Sequence, residues 1–378
     1  MMLVLCAACG DDDATTPDAG SGGSGGRHAA QSGSGGEAGA GRGGTGGAGR
    51  GGAGAAAAGR GGSGASGSAG AYTDACFRKP LFGAAMAWNQ SVEDKPKDAQ
   101  SDAIIAALQS RNWGAGRLQI DFSIDVLCAS ASAPLRSFEK TDNFYEDECD
   151  EAQVPVPAGG HVEGEDGYEC TGGGDCHLIV IAENTRKLYE QWVASIDAQG
   201  TYSGGCLAVW DLARDYDDTL RGDQCSSSDA AGLPIAPLLF DADEIASGEV
   251  RHAVRFALPN THLRNRTYVR PATHATGAAK AGADGVPYGA RLRLRKDYPL
   301  DSLPTEGARV LARALQRYGM ILADGGNIAL MGQDDRSTQH KWKDVLGPRD
   351  LDKLQPKDFE LVEAGQRFTW NGDCTLHN

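Results

Sequence analysis

Residues 251–258, RHAVRFAL, and residues 290–296, ARLRLRK, carry the alternation on which the fold class turns. Successive side chains of a strand point to opposite faces. His252, Val254, Phe256 and Leu258 therefore share one face of the first run, and Arg251 and Arg255 lie on the other. In the second run Ala290, Leu292 and Leu294 oppose Arg291, Arg293 and Arg295. Further short apolar runs at 177–182, 188–193, 207–212 and 267–270 are separated by Gly, Pro, Asn and Asp, and Glu-Asn-Thr-Arg between the first two reads as a hairpin turn. Residues 321–331 read as a second hairpin around Asp-Gly-Gly-Asn. Two stretches have helical spacing. Residues 98–111 carry Ile104, Ile105 and Leu108, and 305–318 carry Val310, Leu311, Ala314, Leu315 and Tyr318 between Pro304 and Gly319. The expectation is a mainly β fold: an antiparallel β-sandwich or jelly-roll-like domain with a few packed helices.

The chain outside this core is of a different kind. Residues 10–71 are almost entirely Gly, Ala and Ser, and between 10 and 70 there is no aromatic residue and no Val, Ile or Leu. Such a segment cannot offset its ordering entropy by burial, so it is expected to be a disordered linker with a reach of roughly 40–45 Å. The β-rich globular domain is expected over 72–378. Eight of the ten cysteines fall in it: Cys76, Cys128, Cys149, Cys170, Cys176, Cys206, Cys225 and Cys374. Their spacing fits neither a zinc pair nor a redox pair. Disulfides formed in an oxidising compartment are expected, with about 105 pairings open. The net charge of −15 argues against nucleic acid as a partner. No run of apolar residues is long enough to span a bilayer.

The N-terminus, MMLVLCAACGDDD, resembles the signal and lipobox of bacterial lipoproteins: a short apolar run, small residues, a cysteine and a polar stretch. The resemblance implies that residues 1–9 are a signal ending at a lipidated Cys9. A lipid there would anchor the protein to the outer membrane or cell surface. Within the domain, SDAAGLPIAPLLFDADEIASGEVRHAVRFALPNTH (228–262), YVRPATH (268–274), PYGARLRLRK (287–296) and ARALQRYGMILADGG (312–326) resemble an uncharacterised family of secreted bacterial proteins. That resemblance implies a shared fold and carries no activity.

Between 251 and 296 there are ten Lys and Arg against one acidic residue, Asp284. A concentrated positive face on an acidic protein suggests an anionic polysaccharide gripped by guanidinium groups, with Arg251, Arg255, Arg291, Arg293 and Arg295 as ligand-binding residues. Pairing of the arginines with nearby carboxylates is the structural alternative. For catalysis His252, His274, Tyr288 and Glu249 are the candidates. In a lyase an Arg neutralises a uronate while a His or Tyr removes the adjacent proton. A glycosidase instead needs two carboxylates about 5–10 Å apart, for which Asp229, Asp243, Glu244 and Glu249 are available. His161, Glu163, Glu165 and Asp166 have the donor types of a divalent-ion site, although a polar loop explains them equally. No cofactor and no metal centre is assigned. The expected function is a surface lipoprotein that acts on or binds a polysaccharide, as a lyase or glycosidase or as a non-catalytic envelope or adhesion module.

Overall fold

The hairpin expected around 183–186 forms: Leu178–Ala182 pairs antiparallel with Lys187–Gln191, which pairs in turn with Leu207–Asp211. Leu127–Ala129 adds in parallel on the other edge to complete a four-stranded sheet. Period two explains why Leu178–Ala182 is apolar throughout. Ile179 and Ile181 enter the main core with Trp88, Trp210 and Phe240, and Leu178 and Val180 enter a second, smaller core with Val154 and Tyr202. A strand buried on both faces has no polar face to show.

The structure, a computed structural model, describes residues 74–77 and 79–377. Cys9 and the linker expected over 10–71 lie outside the described residues. Its largest sheet has six strands in the order Ile120–Ile124, Leu330–Gln333, Val254–Leu258, Met320–Gly325, Arg291–Leu294 and Phe359–Leu361. Two of its pairings are parallel, Ile120–Ile124 with Leu330–Gln333 and Val254–Leu258 with Met320–Gly325. The others are antiparallel. The domain is mainly β with packed helices, but its principal sheet is mixed, where antiparallel pairing was expected.

The hairpin read from 321–331 does not form. Its two strands both exist, yet Val254–Leu258 lies between them, so neither pairs with the other. Alternation identifies a strand but says nothing about its neighbour. The burial of all five residues of Val254–Leu258 marks it as a central strand.

The helix Glu306–Arg317 follows its sequence signals closely. Thr305 accepts the N–H of Ala308 as N-cap, and Val310, Leu311, Ala314 and Leu315 are buried. The chain then reverses at Gly319, where φ is 71° and a Cβ would stand 2.7 Å from the Leu292 carbonyl oxygen. Four disulfides join Cys76 to Cys128, Cys149 to Cys206, Cys170 to Cys176 and Cys225 to Cys374. They fit an oxidising, extracytoplasmic compartment. Among the described residues no helix is long and apolar enough to cross a membrane.

Candidate functional site

Asp241 follows Phe240, which bridges in parallel to Gly332 of the strand Leu330–Gln333. It starts the helix Ala242–Ser247 through a capping box: its carboxylate accepts the N–H of Glu244, and the Glu244 carboxylate accepts the N–H of Asp241. This turn groups three carboxylates. Opposite them runs the segment 337–340, tied down by Asp243, which accepts from the N–H groups of Gln339 and His340 and from His340 Nδ1 at 2.7 Å. Between the two lies a cleft of about 550 Å³, also lined by Phe77, Lys79, Ser247, Glu249, Arg251, Gln333, Ser337 and Thr338. Its size is that of a small-molecule or oligomer-binding site.

The lining is acidic in effect as well as in count. Lys79 Nζ is committed to the carbonyls of Ala236 and Leu239, and Arg251 bonds Glu249 at 2.8 Å. Burial and the negative charge of Glu244 push Asp241 up to about 6. Burial alone would also raise Glu244, but the His252 ring 3.3 Å away, the Lys79 charge and the Asp241 N–H together more than offset it and hold that carboxyl below its ordinary range. A carboxyl that keeps its proton in mildly acidic solution thus stands beside one that does not.

The residues singled out in the sequence scatter. Arg251 and Glu249 line the cleft, and His252, fully buried, reaches it only by holding Glu244. His274 bonds the Ala230 carbonyl at 2.7 Å and packs edge-on against Trp370. The Tyr288 hydroxyl meets Thr276. The five arginines do not form one cationic face. Arg291 donates to the carbonyls of Ala87, Gln90 and Tyr318. Arg293 donates to those of Val92, Glu93 and Lys95 and to Glu360. Both act as clamps on the segment 87–95, two hundred residues earlier in the chain. Arg295 stands at the surface near Asp297. Arg255 is only 1% exposed.

Arg255 is the counter-charge of a buried polar cluster that the sequence reading largely missed. One of its terminal nitrogens meets Asp229 at 2.8 Å and Asp324 at 3.3 Å. The charges of Glu163 and Glu190 also act on it. Glu190 accepts from the backbone N–H groups of Ile235 and Ala236 and from Trp210 Nε1. His177 places Nδ1 2.6 Å from Glu163 and Nε2 3.0 Å from the Ser228 carbonyl, so both nitrogens face acceptors, as an imidazolium requires. These contacts hold the ends of the segment 228–236, which leads into the helix bearing the cleft carboxylates. The cluster is a support for the site, with no open path to substrate through Asp229, whose side chain is fully buried. A signal for it was present at one position: Glu190 shares strand parity with Leu188 and Trp192, a carboxylate on an apolar face.

The cluster makes stability depend on pH. Burial pushes Glu190 to about 7 and raises Asp229 and Asp324, which share the Arg255 guanidinium. For His177 burial would lower the value, but the charge and hydrogen bond of Glu163, together with the Asp175 charge, override it and carry it to about 9. Each folded value is raised above its unfolded one, so each group stabilises fully below the unfolded pKa and loses that contribution as pH rises through the folded one. Glu163 runs the other way, its carboxyl held low by His177 against the effect of burial, and its stabilisation is lost as pH falls from the ordinary carboxylate range through the lowered folded value. The melting temperature should therefore be highest near pH 5 and fall by several degrees by pH 8. A calorimetric profile that is flat or rising across that interval would contradict the assignment.

Compared with known protein families, curated proteins and solved structures, the chain shows no match.

Proposed function

We propose that this is a surface-anchored lipoprotein, lipidated at Cys9, whose acidic cleft binds and hydrolyses a neutral or amino-bearing glycan. The observation that carries the reading is the pairing in one cleft of a proton-holding Asp241 with ionised carboxylates, among hydroxyl and amide groups suited to sugar hydroxyls. Asp241 is the proton donor to the leaving oxygen, and Asp243 or Glu249 the partner carboxylate. A neutral or cationic substrate is favoured over an anionic one because the four carboxylates that line the cleft, Asp241, Asp243, Glu244 and Glu249, outnumber its two strong bases, Lys79 and Arg251. Hydrolysis is favoured over β-elimination because Arg255, Arg291 and Arg293, which could neutralise a uronate, are occupied inside the domain.

The test is release of reducing ends from neutral, amino and acidic polysaccharides between pH 4.5 and 8. Activity should fall as pH rises through about 6, where Asp241 loses its proton. Asp241→Asn should lower turnover by at least about a hundredfold, the usual contribution of a general acid. Its melting temperature should change little, since Asn caps a helix as well as Asp does. A second reading, a binding module without turnover, is favoured by Asp243, whose carboxylate already accepts three hydrogen bonds. Saturable binding of a neutral glycan with no release of reducing ends would select it. Absence of both binding and release across the panel would refute the glycan reading.

A further inference from the structure

Asp125 and Asp334 directly follow the parallel strands Ile120–Ile124 and Leu330–Gln333, at the ends where both strands finish. His161 comes to the same place from a loop. One ligand-type atom from each of the three lies within 4.8 Å of the others. The Asp125 side chain is 2% exposed, and neither of its oxygens takes part in a hydrogen bond among the described residues. An ionised carboxylate so placed is costly unless something compensates it. His161 Nε2 lies 2.9 Å from Asp125 Oδ2, but the two are not aligned for a hydrogen bond. Its Nδ1 meets the Val162 carbonyl at 3.2 Å, so a ring that gives up its Nε2 proton to a metal can keep the other proton on Nδ1. Two ligands bound to one ion at about 2.1 Å and roughly at right angles are separated by about 3 Å, the spacing seen here.

We propose that Asp125, His161 and Asp334 form a divalent-cation centre of mixed nitrogen and oxygen donors, suited to manganese or zinc. This donor set is borderline, neither the all-oxygen cage of calcium nor the thiolate set of a structural zinc site. Asp334 offers the lone pairs left by the Arg336 N–H and guanidinium, which share its oxygens. Of the donors picked out near His161 in the sequence, Glu163 is taken by His177, Glu165 by Thr171 and Gly172, and Asp166 by Arg336. The other compact group of donor types, Glu165 with Cys170 and Cys176, is closed to a metal by the disulfide. A bound ion would tie the ends of two strands to the 161 loop, next to the segment 333–340 that forms one wall of the cleft.

The full chain, stripped with chelator and dialysed, would be titrated calorimetrically with MnCl₂ and then ZnCl₂. Manganese comes first because soft sulfur donors bind it poorly, so its uptake reports nitrogen and oxygen ligands. One equivalent should bind and raise the melting temperature by several degrees, because the ion stabilises only the state that holds the preformed site. Asp125→Asn and His161→Gln should each weaken binding at least tenfold and abolish the thermal shift. If the His161–Asp125 contact is instead a simple ion pair, the folded wild type will take up neither metal in stoichiometric amount, which overturns the proposal. Equal uptake by wild type and both variants overturns it too. The wild-type titration decides the matter even where a variant fails to fold.

Discussion

Arg255→Met is expected to cost about 3–5 kcal/mol of stability at pH 8, the usual consequence of removing one partner from a buried ionic group. The substitution is close in volume, so little of the loss comes from a cavity. What it removes is the charge that faces Asp229 at 2.8 Å and Asp324 at 3.3 Å, both carboxylates being largely withdrawn from water. Without the guanidinium they must take up protons or remain charged in an apolar setting. The first course is easy at pH 5 and costly at pH 8, so the loss in chemical denaturation should be clearly smaller at the lower pH. A penalty independent of pH would mean that the side chain matters by packing alone. Arg255→Lys should fall between, since an ammonium keeps the charge but lacks the planar fork.

Removing the Cys225–Cys374 disulfide by a double Ser replacement should have the largest effect of the four bridges. It closes a loop with a sequence separation of 149, for which the loss of unfolded-chain entropy amounts to about 5 kcal/mol. The Cys170–Cys176 bridge spans six residues and should contribute about 2 kcal/mol. The long bridge also fastens the C-terminal strand Phe368–Thr369, which pairs with Leu263–Tyr268 and stacks Phe368 on Tyr268. Thermal melting without reductant should show a drop of roughly 10 °C or more for the long loop and only a few degrees for the short one. The reverse order would show that loop entropy does not govern these bridges.

Features with local causes were legible in the sequence. The hairpin around 183–186 rests on four turn residues between two apolar runs, and the helix Glu306–Arg317 on a Thr cap, an apolar stripe and a closing glycine. Eight domain cysteines implied four bridges. Their partners were not readable, because pairing over 149 residues depends on where the chain returns and not on spacing. The arginines show the limit most clearly. Period two put Arg291 and Arg293 on one face correctly, but a face need not be a surface. Their strand is buried at every position, and what covers the arginines is the backbone of 87–95, to whose carbonyls they donate. His252 and Glu244, eight residues apart, likewise meet only because the helix after Asp241 folds back on the strand.

By itself, then, the sequence determined the secondary structure of its periodic segments, the composition break that sets residues 10–71 apart, and the number of bridges. The tertiary structure alone decided strand order, cysteine partners, which charges are buried and which carboxylates share a cleft. The physical reason is that the first group depends on propensities and periodicities within a few residues. The second depends on compensation: a buried charge or carbonyl must find its partner, and that partner is supplied by whichever distant segment packing brings near.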